Sequence, residues 1–222
     1  MLCLIHLENI KTIFFDYDGT LHNGMKIYAP AFRAAYSYLV DQGYAAPKKW
    51  SEKEISYWLG FNPPDMWKAF MPNVNEEERT KCSKIISQSM KDSTNSGVAE
   101  LYEGSLEVLS YLKNKDYHLI FISNCKIYYK DAQNKIFKLD RYFERLIASE
   151  EYNYISKAEI ISIVKKEYPE EMVIIGDRLQ DIDAGRKNHF YTIGCSYGYG
   201  QPGEMDNADL VIGNILELKA FL

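Results

Sequence analysis

Thr12-Ile13-Phe14-Phe15-Asp16-Tyr17-Asp18-Gly19-Thr20-Leu21 is the stretch that decides how this chain folds. A β-branched and aromatic run carries two aspartates, one residue apart, to its carboxyl end. That is where a parallel α/β sheet builds its ligand site. Two carboxylates at one strand end need not share a role: where their surroundings differ, one is suited to attack and the other to move protons. Taken by itself, the segment also reads as a strand closing in an Asx turn, with Asp18-Gly19 as turn chemistry.

Beyond Leu21 the apolar residues take a helical period. Phe32, Ala35, Tyr36 and Leu39 share one face, Ile55, Trp58 and Leu59 another, and Met66, Trp67, Phe70 and Met71 a third. Asn62-Pro63-Pro64 and Met71-Pro72-Asn73 punctuate these helices, a fourth is expected from about Asn75 to Lys91, and Asp92–Gly97 reads as a flexible return linker. The three tryptophans, Trp50, Trp58 and Trp67, all fall here and read as packing for a small bundle.

From Glu103 the rhythm changes. Helices over Ser105–Lys115, Tyr128–Phe137, Lys157–Glu167 and Leu179–Asn188 alternate with strands over His118–Ile122, Arg145–Ala148, Met172–Ile175 and Tyr191–Ile193. A strand over Leu210–Ile212 and a last helix from Ile215 follow. Alternation at this spacing implies βαβ units with right-handed crossovers, hence a doubly wound, mostly parallel α/β sheet. The helical insert and the alternating segments divide the chain into a core, 1–23 with 99–222, and an all-helical domain, 24–98.

Three further segments carry chemistry. The strand His118–Ile122 ends in Ser123-Asn124, a hydroxyl and an amide able to donate to phosphoryl oxygens without adding charge, though the pair is also ordinary turn material. Ser156-Lys157-Ala158-Glu159 has the form of a capping box, which makes Ser156 the N-cap and sets Lys157 against the positive end of the helix dipole. That placement is unfavourable unless an anion lies near. Val173-Ile174-Ile175-Gly176-Asp177-Arg178-Leu179-Gln180-Asp181 ends a strand in one carboxylate and places a second a helical turn later, while Asp183 falls off that face and reads as solvated.

DxDGT at Asp16–Thr20, Ser123-Asn124, Lys157 and the GDxxxD run from Gly176 to Asp181, in this chain order, resemble the four motifs of the haloacid dehalogenase superfamily. Within it the chain is most similar to phosphoglycolate-phosphatase-like members, which carry a helical cap inserted after the first motif. The resemblance spans Ile10 to Leu222 and is weakest between Gly24 and Val98. It implies a Rossmann-like core and hydrolysis of a small phosphorylated metabolite through an aspartyl-phosphate. Asp16 would be the nucleophile and Asp18 the acid and base, an aspartate that the superfamily's dehalogenases lack. Thr20, Ser123, Asn124 and Lys157 would bind the phosphate. Mg²⁺ would be held by Asp16, Asp177 and the main-chain carbonyl of Asp18, with Asp181 ordering water on the metal. The Gly194–Gly200 stretch is similar to the glycine-rich segment after a late core strand in such members. The cap would close over the site and exclude bulk water.

Two other functions share these motifs. A phosphosugar mutase like beta-phosphoglucomutase typically has a histidine ten residues after the second aspartate, where this chain has Tyr28. A non-catalytic phospho-ligand-binding protein would have no need to keep all four motifs. Phosphoglycolate, nucleotide monophosphates and pyrophosphate remain open as substrates.

Composition narrows the partners. Across 222 residues, 26 Lys and Arg against 31 Asp and Glu give a net charge of −5, with no basic footprint for nucleic acid or an anionic membrane. Cys3, Cys82, Cys125 and Cys195 show neither disulfide-framework nor zinc spacing, which points to free thiols in a reducing, cytoplasmic setting. Met1–Leu7 is apolar but too short for a signal core and lacks a basic flank. No apolar run is long enough to span a membrane, and the oligomeric state is left open. Other side chains have weaker claims: His22 reads as a solvated loop histidine, Cys125 as a small filler, and Lys26 and Arg33 as cations for a substrate carboxylate or second phosphate.

Overall fold

A computed structural model describes residue 7, residues 9–169 and residues 171–222. Cys3 and nearly all of the Met1–Leu7 stretch lie outside the described residues. The chain divides into two compact units, one formed by the residues up to His22 together with Leu101–Leu222, the other by Asn23–Glu100.

The first unit is built on six parallel strands: β1 (Thr12–Phe15), β2 (His118–Ser123), β3 (Arg145–Ala148), β4 (Met172–Gly176), β5 (Tyr191–Cys195) and β6 (Leu210–Ile212). Their order is β3-β2-β1-β4-β5-β6, so the chain winds outward from β1 to one edge and then, from β4, to the other. The crevice beside the carboxyl ends of β1 and β4 is the switch point at which such sheets bind ligands. Register puts Phe15 beside both Phe121 and Ile175, and the next residue, Asp16, still donates its N–H to the Ile175 carbonyl at 2.9 Å. The ladder therefore holds the Asp16 backbone rigidly.

Every residue of β1 and β4 is buried, as continuous apolar runs in a parallel sheet require. On one face Phe14, Ile120, Ile122 and Ile174 pack with Ile160, Ile161 and Val164 of the helix Lys157–Val164, and Phe14 stacks on Phe190 with centroids 5.5 Å apart. On the other, Phe15 and Phe121 both meet the edge of Phe143. Each such ring removed from water contributes roughly 1.5–3 kcal/mol, which anchors the strand ends on which the site is mounted.

The unit's helices are α5 (Ser105–Asn114), α6 (Ile127–Phe137), α7 (Lys157–Val164) and α8 (Leu179–Asn188). Their numbers follow the four helices of the second unit, α1 (Met25–Asp41), α2 (Glu52–Ser56), α3 (Pro63–Phe70) and α4 (Glu76–Asn95). Two expectations for the first unit's helices need correction. The helix expected over Lys157–Glu167 tightens into a 3₁₀ turn at Lys165–Glu167, and the closing helix is a 3₁₀ segment, Ile215–Ala220.

The second unit is entirely helical. Asn62 and Asn75 cap α3 and α4 by accepting from the backbone N–H groups of Asp65 and Glu78, each at 2.9 Å, and Pro63 opens α3 where its missing N–H costs nothing. The expected return linker is not one: α4 continues to Asn95. Thr94 is buried, Gln88 donates to Asp92 at 2.8 Å, and the left-handed Gly97 ends the helix. Trp67 is buried while Trp50 and Trp58 are half-buried against Phe70. Lys26 pairs with Glu100, whereas Arg33 donates to the Trp50 carbonyl and lines a groove of about 420 Å³ with Tyr36, Lys48 and Lys49. Among the described residues no helix is long and apolar enough to cross a membrane.

Candidate active site

Asp16 leaves the end of β1, Asp177 the end of β4, and Asp181 stands in the first turn of α8. Oxygens of all three lie within 4.8 Å of one another and all three side chains are buried. Lys157, the first residue of α7, is 5% exposed and reaches Asp16 Oδ1 at 2.7 Å and Asp181 Oδ1 at 2.5 Å. Its helix begins as expected, with the Ser156 hydroxyl accepting from the Glu159 N–H and the Glu159 carboxylate accepting from the Ser156 N–H. The anions that offset a lysine at this helix start are thus the two aspartates.

One cation among three buried carboxylates leaves an excess of negative charge, and the protonation preferences show it. Burial pushes Asp16 up from 3.8 to about 7, against the pull of Lys157 and with a further push from Asp181. Burial, then Asp16 and Asp181, lift Asp177 well above the carboxylate range. Lys157 goes the other way: burial works against its charge, but the aspartates outweigh it and hold it above the ordinary lysine range.

Asp177 shows where the excess charge is meant to be neutralised. Its Oδ2 accepts from the Tyr199 N–H at 2.6 Å, while Oδ1 is buried without a hydrogen bond. Such an oxygen is costly unless a cation meets it. Gly19, at φ +93°, and Gly198 make the space, since a Cβ on either would overlap the Asp177 carboxyl group. The residues therefore fit a hard, oxygen-preferring divalent cation. Gly198 has no left-handed backbone, so alanine there is limited by space alone. Gly198→Ala should weaken divalent-cation affinity by roughly tenfold to a hundredfold, read by calorimetric titration, because Asp177 and the Gly19 carbonyl beside it must move.

The remaining predicted residues are placed as follows. Ser123, buried, ends β2, and Asn124 follows it, half-buried. Thr20 turns inward. Its hydroxyl makes a long contact, 3.5 Å, to Asp16 Oδ2, and its N–H donates to the Tyr17 carbonyl at 3.2 Å. The Gly19 N–H is likewise used, by the His22 carbonyl, so these amides close the turn instead of facing a ligand. Asp183 is exposed. Cys82 and Cys195 are buried and Cys125 half-buried, all as free thiols. Burial lifts Cys125 to about 12, which keeps it a filler and not a nucleophile.

Asp18 brings the main surprise. Its Oδ1 accepts from the Tyr129 hydroxyl at 2.7 Å and meets His22 Nδ1 at 2.8 Å. The expectation of a solvated His22 is wrong: the ring is fully buried and stacked on Tyr17, with centroids 4.9 Å apart. Spacing gave a faint hint, since His22 follows Asp18 by four residues. Nothing local marked Tyr129. The Gly194–Gly200 stretch stood out by resemblance but with no residue roles; in the loop it opens, Tyr199 holds Asp177, the Tyr197 hydroxyl donates to the Thr20 carbonyl at 2.8 Å, and Glu204 accepts from Arg178 and from the Leu179 N–H.

A sequence model of the haloacid dehalogenase-like hydrolases matches residues 13–195, which takes in Asp16, Asp18, Ser123, Lys157, Asp177 and Asp181. The chain belongs to that family. Among curated relatives of this haloacid dehalogenase-like hydrolase, a pyrophosphatase PpaX from Listeria welshimeri is 24% identical over 198 residues, 87% of this chain and 86% of that one. A phosphoglycolate phosphatase from Haemophilus influenzae is 24% identical over 230 residues, 96% of this chain and 98% of the other. In fold, a haloacid dehalogenase-like hydrolase from Streptococcus pneumoniae superposes with a TM-score of 0.77 at 20% identity, covering 96% of this chain and 98% of that one.

Proposed function

We propose that this hydrolase is a Mg²⁺-dependent phosphatase that cleaves a small phosphorylated metabolite through an aspartyl-phosphate on Asp16. The observation that carries the reading is the buried set of Asp16, Asp177 and Asp181 around one lysine, with an Asp177 oxygen left without a partner at the switch point of the sheet. Mg²⁺ would be held by Asp16, Asp177 and the main-chain carbonyl of Asp18, with Asp181 beside them, and when bound it supplies the positive charge that lets a phosphate dianion approach a carboxylate.

The chain's own residues do the rest. An Asp16 oxygen attacks phosphorus as the bond from phosphorus to the leaving oxygen breaks, and Asp18 gives that oxygen its proton. Asp18, now a carboxylate, takes a proton from water as the water oxygen bonds to phosphorus and the Asp16–phosphorus bond breaks. Phosphate leaves and both aspartates return to their starting states. Ser123 and Asn124 donate to phosphoryl oxygens, Lys157 holds Asp16 in place and adds charge, and Thr20 orients the Asp16 carboxylate.

The core, 1–23 with 99–222, carries this chemistry, and the helical domain 24–98 acts as the cap that selects the substrate. The relatives' names make pyrophosphate and phosphoglycolate the first compounds to test. The net charge of −5 argues against nucleic acid, and free thiols suit a cytoplasmic enzyme. Phosphate release from a panel of phosphorylated metabolites, with and without Mg²⁺, tests the reading. Release that requires Mg²⁺ supports it, and no release from any compound overturns it.

The charge excess also makes cation binding a stability effect. Asp16 favours its protonated form in the fold, so its stabilising contribution is present below about pH 4 and is lost as pH rises through about 7. A cation reverses that loss. Mg²⁺ at a hundredfold excess over its Kd should add about 2.7 kcal/mol, a rise in Tm of roughly 5–10 °C, at pH 8. At pH 5, where the proton competes for Asp16, the rise should be much smaller.

A further inference from the structure

We propose that His22 and Tyr129 are positioning residues for Asp18, pinning one carboxylate oxygen so that the other is presented to the leaving group. This rests on the phosphatase reading above. Both donors converge on Oδ1: Tyr129 at 2.7 Å, His22 Nδ1 at 2.8 Å, with 3.2 Å between the hydroxyl and Nδ1. The proton is assigned to Nδ1 because that nitrogen faces a carboxylate. Oδ2 is then the oxygen that carries the proton to and from the reacting groups.

The supporting shell is rigid. The His22 ring lies parallel to Tyr17, within 1°, and the edge of Tyr129 meets both rings. Tyr17 is itself tied by its hydroxyl to Gln133 at 2.8 Å, and Tyr129 and Gln133 both belong to α6. The backbone repeats the constraint, since His22 donates its N–H to the Tyr17 carbonyl and accepts from the Gly19 N–H, each at 2.9 Å.

The arrangement also carries a cost. His22 Nε2 is buried with no hydrogen bond, whereas an apolar side chain would fill the same fully buried place without that loss. A polar ring kept there at a cost points to its Nδ1 contact as the reason. Two donors on one oxygen remove rotation about the Asp18 side chain, and general acid–base transfer depends on that alignment.

The test compares esters with poor and good leaving groups. The quantity kcat/KM, which reports the steps up to departure of the leaving group, is measured in Mg²⁺ for an alkyl phosphate and for p-nitrophenyl phosphate. The set is the wild type, Asp18→Asn, Tyr129→Phe, His22→Leu and His22→Asn, each first checked for folding by thermal melt. Departure of nitrophenolate needs little protonation, so the Tyr129→Phe and His22→Leu losses should be about tenfold or more on the alkyl ester and clearly smaller on the aryl ester. His22→Asn, whose amide can donate from the Nδ1 position, should recover most of the alkyl activity. Equal losses on both esters, or no loss while Asp18→Asn is crippled, overturn the positioning role and leave the phosphatase standing. A wild type that hydrolyses neither ester overturns the phosphatase reading, and this inference with it.

Discussion

Asp16→Asn should lower phosphate release by about three orders of magnitude or more, with the fold intact. An amide oxygen is a far poorer nucleophile than a carboxylate, so the first displacement fails and the second never has a substrate. Asparagine keeps the size of the side chain and an acceptor for Lys157, whose 2.7 Å contact to Asp16 Oδ1 is the nearest structural bond at risk. It also removes one of three crowded carboxylates, so the metal-free variant should be at least as stable as the wild type at pH 8. Thermal melts beside phosphate assays separate these effects. A variant that is inactive but unfolded would say nothing about nucleophilicity, and one that is folded and active would exclude Asp16 as the nucleophile.

Lys157→Met should be the most damaging substitution for the fold of the site. The ammonium group is buried between Asp16 and Asp181, so its removal leaves two carboxylates facing each other without a counter-charge. Breaking a buried pair in this way costs about 3–5 kcal/mol. The cost should shrink as pH falls below about 7, because Asp16 then holds a proton and has less need of the cation. Urea denaturation at pH 8 and pH 5 reads this directly, with a larger loss at pH 8. Activity should fall by a hundredfold or more even in the folded variant, since a preorganised charge beside the nucleophile is lost. Equal stability losses at both pH values would contradict the coupling between Lys157 and Asp16.

The parts of this architecture that sequence could reveal are those that local rules govern. β1 and β4 are continuous apolar runs because both faces of a parallel sheet are covered, and the aspartates at their ends needed no knowledge of distant residues. Ser156 and Glu159 announced the start of α7, and the dipole argument singled out Lys157 from its position alone. What escaped depends on distant groups. His22 is buried because Tyr129 and Phe137, more than a hundred residues later, close around it. Tyr199 supports Asp177 through a backbone N–H, which any residue but proline would supply, so its identity carries almost no signal. The end of α4 was misread because Asp92, Ser93, Thr94 and Asn95 are turn formers by propensity, yet Thr94 packs inside the helical unit and carries the helix past them.

The central claim is that the phosphoryl group passes through Asp16. A single turnover with ³²P-labelled substrate in Mg²⁺, quenched in acid, digested and mapped by mass spectrometry, tests it most directly. The account predicts transient label on the peptide carrying Asp16, absent from Asp16→Asn and decaying as free phosphate appears. Label on any other residue, or phosphate formed with no labelled peptide at any time, would contradict it.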